Sequence, residues 1–95
     1  MKIKYTPEAI DDLVRLREFI EIKNPMAAQR IAVQIIQGID KLKLFPMMGI
    51  KVTKAPQPEA MRDLFIGPYT IRYLVSESEI IILRLWHGKE ADKDK

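Results

Sequence analysis

The chain of 95 residues has no cysteine and one histidine, His87. The first absence excludes disulfides and thiolate chemistry, and it fits a reducing cytosol. Together the two leave few good metal ligands, so neither a metal centre nor a cofactor is expected. Long apolar runs are also missing. The longest, Ile80 to Leu83, is far too short to cross a bilayer. No apolar stretch follows Lys2 and Lys4 as a secretory signal would require, so a soluble, cytoplasmic protein without membrane attachment is expected. Nor is there a large excess of one charge, since 16 Lys and Arg oppose 13 Asp and Glu, for a net +3.

Apolar residues make up 47% of the chain and charged residues 31%, a balance that folds rather than stays disordered. The length supports one domain of modest stability, placed at residues 1–88, with a charged tail at 89–95 expected to fray. Charge is unevenly spread. Residues 41–75 carry Lys41, Lys43, Lys51, Lys54, Arg62 and Arg72 against Glu59 and Asp63, whereas residues 1–40 are balanced. A local excess of this kind suits an anionic partner, nucleic acid or an acidic protein segment. It also describes an ordinary solvated surface.

Alternation in residues 2–5 predicts a short strand with Ile3 and Tyr5 on one face. Thr6-Pro7 then starts a helix to about Ile22, with Glu8, Asp11 and Asp12 at its positive end. Ile10, Leu13, Val14, Leu16 and Ile20 form its apolar side. Arg17 lies among them, either as a stem covering apolar surface or as a partner contact. Asn24-Pro25 starts a second helix, predicted to reach about Phe45, with a stripe of Ala28, Ile31, Ala32, Ile35, Ile36, Ile39 and Leu42. Gly38 beside the stripe predicts close approach of another helix. Met26, Val33 and Leu44 fall opposite, as scattered surface residues or as a second contact face. Residues 50–60, with Pro56 and Pro58, read as a loop. Strands are predicted at 61–66, 69–75 and 79–87, joined by Gly67-Pro68 and Ser76-Glu77-Ser78 and therefore antiparallel. The last strand is apolar on both faces, with Ile80 and Ile82 on one and Ile81, Leu83 and Leu85 on the other. It should be central. The predicted architecture is α+β, in the order strand–helix–helix–strand–strand–strand, with a helical hairpin packed on a small, mainly antiparallel sheet.

Three segments resemble one family. Leu42-Lys43-Leu44-Phe45-Pro46-Met47-Met48-Gly49 is similar to the segment that closes the second helix of RelE/ParE superfamily toxins. Arg62-Asp63-Leu64-Phe65-Ile66-Gly67-Pro68-Tyr69-Thr70-Ile71-Arg72-Tyr73 resembles their arginine-led hairpin, and Ile80 to Leu85 with Trp86-His87-Gly88-Lys89 resembles their final strand. The resemblance covers nearly the whole chain. It implies the toxin of a type II toxin–antitoxin system, with a cognate antitoxin protein as partner.

The superfamily has two main branches. ParE-like members inhibit DNA gyrase and are not nucleases, whereas RelE-like members cleave mRNA in the ribosome. Cleavage through a 2′-hydroxyl needs a proton acceptor, phosphorane stabilisation and a proton donor. The residues of this chain that match that need are Arg62, Arg72 and His87. His87 also has a purely structural reading, a strand-end ring bonded to the backbone. Arg72 interrupts an apolar alternation and calls for a partner, such as an acidic side chain on a neighbouring strand. No tyrosine or histidine follows His87, a departure from the RelE pattern. The expectation is therefore a ParE-like gyrase inhibitor with no catalytic residues. A ribosome-dependent endonuclease is the alternative, and a degenerate member that binds antitoxin only is the third. Lys51, Lys54, Arg62, Arg72, Arg17 and Lys89 are the candidates for antitoxin or target contact. Without a basic recognition helix, the chain is not expected to bind DNA sequence-specifically by itself.

Overall fold

In the structure, a computed structural model, residues 1–56 and 60–89 are described. Pro58 of the predicted loop, the Glu59 charge and most of the predicted tail lie outside them. The elements are β1 (Lys2–Tyr5), α1 (Pro7–Lys23), α2 (Pro25–Asp40), a 3-10 turn (Lys41–Lys43), β2 (Ile50–Lys51), β3 (Met61–Ile66), β4 (Tyr69–Val75) and β5 (Glu79–His87). The sheet order is β1-β5-β4-β3-β2, with β1 parallel to β5 and the other pairs antiparallel. β5 is an interior strand, as its two apolar faces predicted.

Both helices start as the sequence indicates. Thr6 Oγ1 accepts the Ala9 N–H at 3.0 Å, and Asn24 Oδ1 accepts the Ala27 N–H at 3.1 Å. Asn24 also donates its N–H to Ile20 at 2.8 Å, so one residue closes α1 and opens α2. α2 stops at Asp40, short of the predicted Phe45. Proline at 46 pushes Phe45 out of helical geometry, and the Leu44 and Phe45 amides both turn back onto the Lys41 carbonyl. Leu42 remains fully buried in the resulting 3-10 turn.

One face of the sheet packs beneath the helices. Leu64, Tyr69, Ile71, Tyr73, Ile80, Ile82 and Leu85 meet Ala9, Leu16, Ile35, Ile39 and Leu42 there. Leu85 was expected on the opposite face from Ile80 and Ile82. Tyr73 pairs with Ile82 but Arg72 pairs with Arg84, leaving Leu83 as an extra residue; this bulge reverses the alternation and brings Leu85 into the core. The buried side of α1 is rotated from its predicted stripe. Ala9, Asp12 and Leu16 are buried, while Ile10 and Val14 are exposed. On α2, Ile36 of the predicted stripe is also exposed. Gly38 admits a strand rather than a helix, because a Cβ there would collide with the Ile66 side chain of β3. Residues 50–60 are not wholly loop: Ile50 pairs with Asp63 and Lys51 with Arg62, and the Val52 amide extends the ladder to Met61. Pro56 lies beyond this pairing, and two residues carry no alternation to read.

Candidate functional site

Four polar constellations surround this core. The first seals an edge. β1 ends at Tyr5 opposite Ile82, so the outer edge of β5 continues without a strand beside it. α1 takes its place. The Thr6 N–H donates to the Ile82 carbonyl at 3.0 Å, and Thr6 Oγ1 donates to the Leu83 carbonyl at 2.8 Å. The Leu85 N–H donates to Asp12 Oδ2 at 2.9 Å. Arg84 Nε and Nη2 grip the same carboxylate at 2.8 and 3.1 Å, and Arg15 Nη1 reaches it at 2.7 Å. Asp12 is only 2% exposed. Burial alone would raise its pKa, but donation from Arg84, Leu85 and Arg15 outweighs that and holds it below the ordinary 3.8. The sequence places Asp12 at a helix N-terminus, as a dipole partner. Its actual office is to bind a strand edge.

The second lies on the face away from the helices. Arg72 Nε and Nη2 donate to both oxygens of Asp63, its cross-strand partner, at 2.9 and 3.1 Å. Its guanidinium stands 5.0 Å from the Trp86 ring centre. This is the acidic neighbour the apolar alternation calls for. Arg72, Arg84 and Lys54 border a hollow of about 290 Å³ whose other wall is Val52, Ala55 and Pro56.

The third is a latch on residues 46–49. Tyr73 Oη donates to the Pro46 carbonyl and accepts the Gly49 N–H, both at 2.8 Å. Arg62 Nη1 donates to the Gly49 carbonyl at 2.8 Å and to the Met47 carbonyl at 3.3 Å. A Cβ at Gly49 would come within 2.8 Å of Tyr73 Oη and of the Asp63 carbonyl, so only glycine fits. Burial pushes the Tyr73 pKa up, against lowering by Gly49 and Arg62, which keeps the hydroxyl a donor.

The fourth is a hollow of about 470 Å³ between α1 and the end of β5, with Leu16, Phe19 and Tyr69 as walls and Arg15, Lys23 and Lys89 as cations. His87 lies in it, edge-on to Tyr69 at 5.2 Å between ring centres, and its Nδ1 accepts the Lys89 N–H at 2.9 Å. Burial raises the Tyr69 pKa.

The predicted site residues therefore divide into separate groups. Arg72 and Lys54 share the open-face hollow, and His87 and Lys89 share the hollow beside α1. Arg62 and Lys51 are cross-strand partners at the β2 edge. Arg17 is exposed and pairs with Glu21 at 3.6 Å. Arg62 and His87 belong to the helix-covered side and Arg72 to the other. Along the strands, Tyr73 opposite Arg62 and Tyr69 opposite His87 are four residues apart, about 13 Å. Among the described residues, no cluster of three or more His, Cys, Asp or Glu is placed to hold a metal ion, and no helix is long and apolar enough to cross a membrane.

Two helices on one face of a five-stranded sheet, with a Gly-Pro hairpin and a last strand that ends at His87, are the architecture that the resemblance to RelE/ParE superfamily toxins implies. The sequence model of the ParE toxins of type II toxin–antitoxin systems, parDE, matches residues 3–92, and the chain belongs to that family. Toxin RelE2 of Caulobacter vibrioides is 32% identical over 88 residues, 92% of this chain and 94% of that protein. A solved chain of the chromosomal ParDE TA system from P. aeruginosa superposes with a TM-score of 0.77 over 92% of this chain and 95% of its own, at 22% identity. That last likeness is one of fold.

Proposed function

We propose that this toxin is a cytoplasmic, non-enzymatic inhibitor of DNA gyrase, of the ParE type, held inactive by a cognate antitoxin. The observation that carries this reading is the employment of its basic residues. In the endonuclease reading, Arg62, Arg72 and His87 would act together on one phosphate. Arg62 instead turns Nη1 to the Gly49 and Met47 carbonyls, and Arg72 pairs with Asp63 on the other face. His87 accepts a backbone amide, and Tyr69, its ring neighbour, has a pKa raised away from the range of a general base. Family membership supports the same reading.

The second reading, a ribosome-dependent mRNA endonuclease, draws on the 32% identity to a protein named Toxin RelE2. A toxin that has lost its activity and only binds antitoxin is the third. Toxin freed from antitoxin decides among them in parallel assays of gyrase supercoiling and of mRNA cleavage on programmed ribosomes. Loss of supercoiling with trapped DNA breaks and intact mRNA is expected. Cut mRNA with normal gyrase would overturn the proposal, and activity in neither assay would leave the degenerate member.

A further inference from the structure

The segment that Tyr73 and Arg62 latch has an unusual surface. Leu44 is 78% exposed, Phe45 61%, Met47 57% and Ile50 64%, with Met48 and Phe65 also exposed beside them. A soluble domain of this size rarely leaves so many large apolar side chains together in water without a use for them. Here the backbone beneath them is fixed from inside by the two hydroxyl bonds of Tyr73 and the two carbonyl bonds of Arg62. The side chains are thus held outward on a rigid frame, so little conformational freedom is lost when something covers them. Next to them a groove of about 380 Å³ opens between α2 and β3, floored by Leu64 and Ile66, walled by Met48 and Phe65, and with Lys41 at its border.

Charge narrows the choice of occupant. Residues 41–56 contain Lys41, Lys43, Lys51 and Lys54 and no acid. Of the described acids beside this segment, Asp40 pairs with Lys43 at 3.0 Å and Asp63 with Arg72. A second copy docked on this face would oppose lysines to lysines. An amphipathic, acidic segment would bury its apolar side in the groove and set its carboxylates against the lysine rim. Duration narrows it further. Permanent complexes use more apolar interfaces than passing ones, and of a toxin's two partners the antitoxin is the one that stays bound.

We propose that the apolar face formed by residues 44–50, Phe65 and the α2–β3 groove is the docking surface for an acidic amphipathic segment of the antitoxin, with Tyr73 and Arg62 as positioning residues. The proposal rests on the toxin–antitoxin reading but not on which target is poisoned. It moves the partner contact from Arg62 and Arg72, which bond within the fold, to apolar side chains with a lysine rim.

The test titrates the antitoxin encoded with this toxin against three toxins: wild type, Phe45→Ser with Met47→Ser, and Ile10→Ser with Val14→Ser. The last pair is similarly exposed but lies on α1. Thermal melts accompany each titration. The loop variant is expected to lose about a hundredfold in affinity with an unchanged melt, and the α1 variant to lose less than about twofold, as a surface change outside an interface does. Lys41→Glu with Lys51→Glu, which leaves the apolar side chains in place, is expected to slow association and flatten its salt dependence. Unchanged antitoxin affinity in the loop variant overturns the proposal, and so do equal losses in the loop and α1 variants. Loss of target inhibition with antitoxin affinity intact would assign the face to the target. Loss of self-association with antitoxin affinity intact would assign it to a second copy. Either of these results also overturns it. Because the titration contains neither gyrase nor ribosomes, its failure is distinct from failure of the gyrase reading.

Discussion

The two sides of the sheet solve the same chemical problem in opposite directions. Past Tyr5, β5 has backbone groups with no neighbouring strand, and a helix supplies the missing partners through Thr6 and Asp12. Near β2, it is the loop backbone at residues 46–49 that lacks a strand, and side chains from β3 and β4 supply the partners through Arg62 and Tyr73. In the first case the satisfied edge ends up beneath α1, with Asp12 almost entirely buried. In the second the polar atoms are hidden and the apolar side chains are displayed. The rule that buried polar groups must be paired is met by Asp12 in the first, whereas in the second Arg62 bonds the loop through Nη1 and keeps its buried Nε without a hydrogen-bond partner. The difference is which part of the chain is left facing water, and that separates an edge built for stability from one built for recognition.

The comparison is broken most severely at Asp12. Asp12→Ala leaves Arg84 without its carboxylate and the Leu85 amide without an acceptor, and should cost about 3–5 kcal/mol in urea unfolding. The same carboxylate gives the fold an acid limb. Its folded pKa lies below the ordinary 3.8, so its contribution is present above that value and is lost as pH falls through the folded pKa. Melting curves taken downward from pH 5 should show this loss in the wild type and a shallower one in Asp12→Asn.

At the other edge, Tyr73→Phe removes one donor and one acceptor bond and strands the Pro46 carbonyl and the Gly49 amide. About 1–3 kcal/mol is expected, read by the same unfolding experiment. Its mark of recognition is a fall in antitoxin affinity larger than that of an Asp12→Asn protein still folded at the assay temperature. On the open face, a double-mutant cycle on Arg72 and Asp63 should give a coupling of about 1–3 kcal/mol, since the pair is bidentate and mostly buried. Smallest is Arg17→Ala, whose pair with Glu21 is exposed and long, with a cost within about 0.5 kcal/mol.

Much of the frame was legible beforehand, for local reasons. Thr6-Pro7 and Asn24-Pro25 announce helix starts, and Gly67-Pro68 and Ser76 to Ser78 separate strands whose observed limits match the predicted ones. What escaped depends on contacts far apart in sequence. Asp12 and Leu85 are 73 residues apart, and nothing local distinguishes Asp12 from Asp11 beside it. The Leu83 bulge has no glycine to mark it, and it alone moved Leu85 to the core. The candidate site was legible as residue types and not as an arrangement. Arginines in a basic middle segment look available for a partner, and only the fold shows Arg62 bonded to its own loop. One signal was open to reading: Leu44-Phe45-Pro46-Met47-Met48-Gly49-Ile50 is an apolar run broken by proline and glycine and flanked by lysines, too irregular for either a helix or a strand stripe.

The contrast between the two edges is tested most directly by hydrogen exchange on the free toxin and on its complex with antitoxin. In the free toxin, the Leu85 amide should exchange only through global unfolding, and antitoxin should slow it no more than it slows unfolding itself. Amides across residues 44–52 should exchange faster in the free toxin and gain the largest protection in the complex. The reverse pattern, with antitoxin protecting the β5 edge and leaving residues 44–52 unchanged, would contradict the account.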